Sequence, residues 1–314
     1  MSNKINYIIY HKNCLDGYCG FFLFNRLKLH DKNSIIYPDV PSTKIIPPKI
    51  LNKNVIIIDV AYSIDILEKI FSLAKNVIFI DHHITTKNYS QELAKKYNQH
   101  VFFDEKYSGA GLVWKIFYKI KEPSFVKYIQ DNDLGLWKHK NTKPFITYLQ
   151  VKFNLDPENS SAFEKLFDKN ELSKIIKYGN YFEEYKIFLL EQNSKRYSLE
   201  YFPSEKILNE NIFLKDLINK VGKYKVAVFN GGCPNTSALG SYLMENNIDK
   251  YDFVWIWTLN LNKKEIVVSL RSKNNGVNVE QIAKCFGGGG HPGAAAFSVN
   301  IHKNNIFDFF IEKI

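Results

Sequence analysis

Short runs rich in β-branched and aromatic residues, set between helical patterns, constrain the first half of this chain more than any other feature. Ile5–Tyr10 reads as a buried strand, Ser34–Tyr37 as a second, Val55–Ile58 as a third and Val77–Ile80 as a fourth. Helical periodicity separates them over Gly17–Leu29 and Ile64–Ala74, and two more helices are predicted at Gly109–Ile120 and Ser124–Gln130. Strands that alternate with helices pair in parallel, because a crossover connection is needed between them, so the fold class is α/β with a doubly wound parallel sheet. A charged, glycine-poor stretch follows over 156–220 and reads as a helical linker region. A smaller α/β domain is then expected over 221–314. Its strands would be Lys225–Phe229, Phe253–Leu259 paired with Glu265–Leu270, and Ala294–Val299, with helices at Thr236–Met244 and from an Asn278 cap to Phe286. The domains expected are thus 1–155, 156–220 and 221–314.

Composition narrows the function classes. At 314 residues, 45% of them hydrophobic, the chain can bury a core in each of two domains. No apolar stretch approaches a membrane span and the N-terminus turns polar early, so neither a membrane protein nor a signal peptide is expected. The four cysteines (Cys14, Cys19, Cys233, Cys285) follow no paired spacing, which points to a reducing compartment and hence the cytoplasm. The net charge of +10 suits an anionic substrate. It is almost all lysine, with arginine only at 26, 196 and 271, and no basic stripe interleaved with aromatics suggests a long nucleic-acid partner.

Chemistry-bearing residues gather where strands end. The first strand runs into His11 and then Asp16-Gly17, the third ends at Asp59, and the fourth at Asp81-His82-His83. In a parallel sheet these ends share one edge, where ligands bind. Imidazoles and carboxylates converging there can hold divalent cations, and such a set suits Mn²⁺ or Mg²⁺ better than a thiolate-rich zinc site. Two cations together can activate water and stabilise a phosphoryl group. Taken singly, each residue reads equally as a cap or turn residue, as do Asp131 and Asp133. In the second domain Gly287–Gly290 allows backbone N–H groups to approach an anion, and His291 can add a donor. Arg271, at a strand end, is the matching bidentate phosphate ligand. A flexible linker and a solvated surface arginine are the plain alternatives.

Together these motifs resemble the DHH phosphoesterase superfamily with its glycine-rich C-terminal domain, which includes RecJ-type exonucleases, nanoRNases and cyclic-dinucleotide phosphodiesterases. His11…Asp16-Gly17, Asp59, Asp81-His82-His83 and Asp131-Asn-Asp133-Leu resemble its four N-terminal motifs, in order. Ser108–Trp114 resembles a segment of nanoRNase-like members, and Ser269–Ser272 with Gly287–His291 resembles the C-terminal signature. The resemblance implies an enzyme with two Mn²⁺-type sites, Mg²⁺ being an alternative, and an active site in the cleft between the domains. His11 and Asp59 would serve one site. Asp16, Asp59, His82 and either Asp131 or Asp133 would serve the other, with His83 and Asp81 as catalytic residues. Arg271, Gly288, Gly289, Gly290 and His291 would hold substrate. The implied reaction is hydrolysis of short oligonucleotides or dinucleotides by metal-activated water. Cyclic dinucleotides, 3′-phosphoadenosine-type nucleotides or polyphosphate are alternative substrates, and a non-catalytic nucleotide sensor is an alternative role. One departure stands out: Cys14 occupies a position where many relatives carry a further aspartate. It can ligate as thiolate, give way to water, leave a weak site, or simply pack in the turn. The apolar face of the linker helices can serve a homodimer or pack on the first domain.

Overall fold

The computed structural model describes residues 4–153, 160–233, 235–246, 250–273 and 275–311. The chain divides into two compact units, Met1–Glu183 and Glu184–Ile314.

The first unit is built on strands β1 (Ile5–His11), β2 (His30–Asp39), β3 (Asn54–Ile58), β4 (Asn76–Asp81) and β5 (His100–Phe103). All pair in parallel, in the order β2-β1-β3-β4-β5. Its helices are α1 (Leu15–Arg26), α2 (Ile64–Leu73), α3 (Lys87–Tyr97), α4 (Gly109–Val113), α5 (Ser124–Asp133), α6 (Thr142–Lys152) and α7 (Ser160–Glu164), and α8 (Lys169–Asn193) starts here and continues into the second unit. Successive strand residues serve opposite faces. Ile8, Tyr10, Ile56, Ile58 and Ile80 share a core with Phe21 of α1, Ala110 of α4 and Ile129 of α5. Tyr7, Ile9, Val55, Ile57 and Phe79 share another with Ile66, Ile70 and Leu93 of α2 and α3. A strand covered on both faces has no solvent side, which is why Tyr7–Tyr10, Val55–Ile58 and Val77–Ile80 are unbroken runs of aliphatic and aromatic residues. This is the doubly wound sheet the sequence predicts.

Three differences have physical reasons. Strand β2 extends well beyond Ser34–Tyr37, because the pairing slips between Ile5↔His30 and Tyr7↔Ile35 and so takes in a polar stretch at the sheet's edge. Helix α3 and strand β5, absent from the sequence reading, bury little: α3 buries only Ser90, Leu93 and Ala94. The helix predicted over Gly109–Ile120 passes from α4 into a wider turn over Trp114–Tyr118 and stops at Lys119, whose φ is +55°.

The second unit carries β6 (Ser198–Phe202), β7 (Tyr224–Asn230), β8 (Phe253–Asn260), β9 (Glu265–Arg271), β10 (Gly289–His291) and β11 (Ala294–Asn300), in the order β10-β11-β9-β8-β7-β6. Only β7 and β8 pair in parallel. Helices α9 (Glu205–Glu210), α10 (Ile212–Val221) and α12 (Val279–Cys285) cover one face, with Leu214 and Ile282 packed on Val226, Trp255 and Val268. Helix α11 (Thr236–Asn246) covers the other through Leu239 and Leu243, beside Leu190 of α8. Asn278 caps α12, accepting from the backbone N–H groups of Glu280 and Gln281 at 3.1 and 3.3 Å. The 156–220 stretch, which begins outside the described residues, is not helical throughout, since β6 lies in it and pairs with β7. Among the described residues no helix is long and apolar enough to cross a membrane.

The strand order places the site. From β1 the chain moves outward to β2, then returns past β1 to β3 and on to β5. The order therefore reverses between β1 and β3, and ligands bind beyond the carboxyl ends of strands at such a reversal. There Tyr10 pairs with Ile58 and Ile58 with Ile80, so His11, Asp59 and Asp81 come next in line on neighbouring strands.

Candidate functional site

Asp59 sits at the centre of the reversal. It follows β3 directly, its N–H bonds to the carbonyl of Ile80 at 2.9 Å, and its φ is +63°. A left-handed aspartate is uncommon and costs of order 1 kcal/mol or more, so the surrounding structure must hold it there. The first residues of α4 press against it: a Cβ on Gly109 would lie 2.6 Å from Asp59 Cβ and 2.9 Å from Asp16 Oδ2. Only glycine admits that approach of backbone to two carboxylates.

Around Asp59 the predicted ligands converge. His82 Nε2 lies 3.1 Å from Asp59 Oδ1 and 3.3 Å from Asp133 Oδ2. His11 Nδ1 lies 3.4 Å and Cys14 Sγ 3.6 Å from Asp59 Oδ2. Asp16, in the first turn of α1, is fixed by Ser108 Oγ donating at 2.5 Å and the Ala110 N–H at 3.2 Å. Three overlapping groups have ligand atoms within 4.8 Å of one another: His11, Cys14 and Asp59; Asp59, His82 and His83; Asp16, His82 and Asp133.

The electrostatics call for a cation. Three carboxylates converge, and among the described residues none of them pairs with lysine or arginine. Burial, then the charges of Asp59 and Asp133, push the Asp16 carboxyl well above its ordinary value, and burial with Asp59 raises Asp133. For Asp59 the burial penalty is outweighed by the neighbouring imidazoles of His11 and His82, which lower it. His82, pulled down by burial but up by Asp59, ends at about 9. Burial, then Asp59 and Asp16, push the Cys14 thiol upward. His11 Nδ1 and Asp133 Oδ2 are buried with no well-formed hydrogen bond, only the 3.4 and 3.3 Å contacts to Asp59 and His82. Buried polar atoms are rarely left so. Two such atoms among converging carboxylates and imidazoles fit bound divalent cations, which would satisfy them.

Two expected residues have other work. Asp131, one of the two aspartates the sequence left open, spends its carboxylate on a turn, accepting from the Lys138 and His139 N–H groups at 2.8 and 3.1 Å and from Thr142 Oγ1 at 2.5 Å. Asp133 alone of the pair reaches the cluster. Asp81, expected to be catalytic, is fully buried and accepts from the His82 N–H at 2.9 Å, Thr86 Oγ1 at 2.5 Å and His83 Nδ1 at 2.7 Å. A carboxylate so occupied positions its neighbours rather than meeting a substrate. It holds His83 by Nδ1, leaving Nε2 as that ring's outward nitrogen. His83 is about one-third exposed.

In the second unit, Arg271 and His291 both pair with Ala294, from β9 and β10 on either side of β11. Directly opposed residues share a face, so the two side chains leave the sheet on the α11 side, where Arg271 packs on Gly240. Burial lowers the Arg271 pKa, though the guanidinium stays charged. The glycine run is no loose loop. Gly287 closes α12 with φ +76°, and Gly289–His291 form a strand. At Gly288 and Gly290 an added Cβ would lie 2.2 and 2.5 Å from the carbonyl oxygens of Ala296 and Ala294. At Gly289 it would meet nothing within 4 Å, so packing does not explain that glycine.

Sequence reasoning missed the supports: Thr86 under Asp81, Thr142 on Asp131, and the specific contacts of Ser108 and Gly109 with the carboxylates. Of these only Ser108-Gly109 carried a signal, as part of a recognised segment without an assigned role.

Residues 222–314 match the DHHA1 domain. An uncharacterized protein of Acanthamoeba polyphaga mimivirus is 29% identical over 312 residues, covering 94% of this chain and 68% of the viral protein. Among solved structures, a pGpG-specific phosphodiesterase, PggH, from Vibrio cholerae is similar in fold, with a TM-score of 0.53 and 12% identity over 96% of this chain and 95% of that one. An exopolyphosphatase-related protein from Bacteroides fragilis aligns with a TM-score of 0.47 and 14% identity over 94% and 86%.

Proposed function

We propose that this chain, which belongs to the DHH superfamily of phosphoesterases, hydrolyses phosphodiester bonds in linear dinucleotides and short oligonucleotides. The observation that carries the reading is the convergence of Asp16, Asp59, His82 and Asp133 with His11 at the reversal of the first sheet, two of their polar atoms buried without a well-formed hydrogen bond. Asp16, His82 and Asp133 would hold one divalent cation, His11 and Asp59 another, and Asp59 lies within reach of both. Bound there, such cations would lower the pKa of an attacking water and draw charge from the phosphoryl oxygens. The oxygen-rich set suits Mn²⁺, with Mg²⁺ as the alternative.

The chain's own groups do the rest. Ser108 and the α4 backbone keep Asp16 turned toward the cluster. Asp81 fixes His83, whose outward nitrogen is available to a phosphate oxygen or to the leaving group. In the second unit, Arg271 and His291 offer cationic and hydrogen-bonding contacts suited to a phosphate group, and Gly289 leaves room for its close approach to backbone N–H groups. A reducing compartment such as the cytoplasm would keep Cys14 a free thiol, as it is here.

The shared fold makes linear pGpG the first substrate to try. A time course with Mn²⁺ on 5′-labelled RNAs from the dinucleotide upward, beside cyclic dinucleotides and short single-stranded DNA, tests the reading. The shortest linear species should disappear first. If all three substrate types stay intact while metal is bound, the reading fails.

A further inference from the structure

The candidate cation-binding groups around Asp59 differ in chemistry. Asp16, His82 and Asp133 offer only nitrogen and oxygen, whereas His11, Cys14 and Asp59 include a sulfur. We infer that Cys14 is itself a ligand, and that its sulfur turns this second site toward borderline cations such as Zn²⁺, Co²⁺ or Fe²⁺ while its neighbour keeps the preference for Mn²⁺ or Mg²⁺. The inference rests on the reading that the cluster holds cations, and is independent of which phosphodiester is cut.

Placement supports it. Cys14 occupies the N-cap of α1 in extended conformation, yet its side chain makes no cap hydrogen bond. A serine or aspartate there would normally turn back onto the helix. The thiol instead points at Asp59, with Sγ 3.6 Å from Oδ2. A cysteine that merely filled space would sit among carbon atoms, as Cys19 does in the core of the same helix. His11 Nδ1, buried without a well-formed hydrogen bond, completes the set.

Binding is a simple exchange. The S–H bond breaks, its proton passes to solvent, and the sulfur lone pair forms the bond to the cation, with no change of oxidation state. Softer ligands shift selectivity away from hard cations, so a donor set with one sulfur should discriminate against Mg²⁺ more strongly than the all-oxygen-and-nitrogen set beside it.

The test reads the metal directly. The full chain, stripped by chelation and kept reduced, is titrated with Co²⁺, whose visible absorption reports binding and whose near-ultraviolet thiolate charge-transfer band reports a Co–S bond. Wild type should show that band, and Cys14→Ser and Cys14→Asp should lose it while keeping the visible absorption. Cys14→Asp should also move the Zn²⁺-over-Mn²⁺ preference by about tenfold or more toward Mn²⁺. Bound Co²⁺ without the band in wild type, a band that survives Cys14→Ser, or an unchanged preference would each overturn the inference. If no Co²⁺ binds, the cation reading falls as well. If the band is present but no oligonucleotide is cut, only the substrate reading falls.

Discussion

Asp59 is held in a left-handed conformation, buried, and approached by four ligand-type side chains, so its replacement has the clearest expected consequence. Asn tolerates that conformation and matches its volume, so Asp59→Asn should fold while losing the shared charge. Loss of an outer support costs about 10–100-fold in metal affinity or activity, and if Asp59 serves two cations as proposed, its loss should exceed the upper end of that range. Steady-state kinetics beside a metal titration would show it, and wild-type turnover in the variant would displace Asp59 from the site. Thr86 gives the graded comparison. Thr86→Val removes a buried donor to Asp81 and loosens the carboxylate that holds His83, so activity should fall within that 10–100-fold range with the site still assembled. Arg271 should behave differently from both. If it binds phosphate, Arg271→Ala raises KM by the equivalent of about 1.5–3 kcal/mol and leaves kcat nearly intact. A fall in kcat at unchanged KM would assign it another role.

At the scale of elements, the glycine run separates packing from ligand approach. Gly290 has φ +147° and no room for a Cβ beside Ala294, so Gly290→Ala should destabilise the β10–β11 hairpin by about 1–3 kcal/mol, read as a lowered urea midpoint. Gly289 has open space, so Gly289→Ala should leave the midpoint nearly unchanged and weaken substrate binding if a phosphate approaches there. Equal effects of the two on stability and KM would mean that the run serves the hairpin alone. These roles also show where the sequence was legible. The central strands could be read because both faces are buried and the runs are unbroken, and their ends delivered His11, Asp59, His82 and His83 by simple counting. Helix α3 and strand β5 bury too little to leave a pattern. The choice between Asp131 and Asp133 could not be made from the sequence, because it depends on a turn whose N–H groups and Thr142 claim the first aspartate. Ser108 reaches Asp16 across 92 positions, a contact that no local pattern encodes.

For the whole molecule, the two units have separate cores: clusters around Ile58 and Ile57 in the first, and around Trp255 and Val254 in the second. All the residues of the candidate cation-binding groups belong to the first unit. A ligand that binds only the native state stabilises what it binds, by about 2.7 kcal/mol at a hundred times its dissociation constant. Calorimetry of the full chain should therefore resolve two transitions, of which Mn²⁺ raises one and leaves the other in place, and chelation should reverse the shift. The Asp59→Asn variant should keep both transitions and lose most of the Mn²⁺ response, which ties the shift to the site rather than to bulk ionic effects. A single transition that moves as a whole would mean that α8, which runs from one unit into the other, couples their unfolding. In that case metal occupancy would govern the stability of Arg271 and His291, the proposed phosphate contacts, as well, and stripping the metal should weaken a purely C-terminal phosphate contact. Two independent transitions would instead predict that Arg271→Ala and metal removal act additively on substrate affinity.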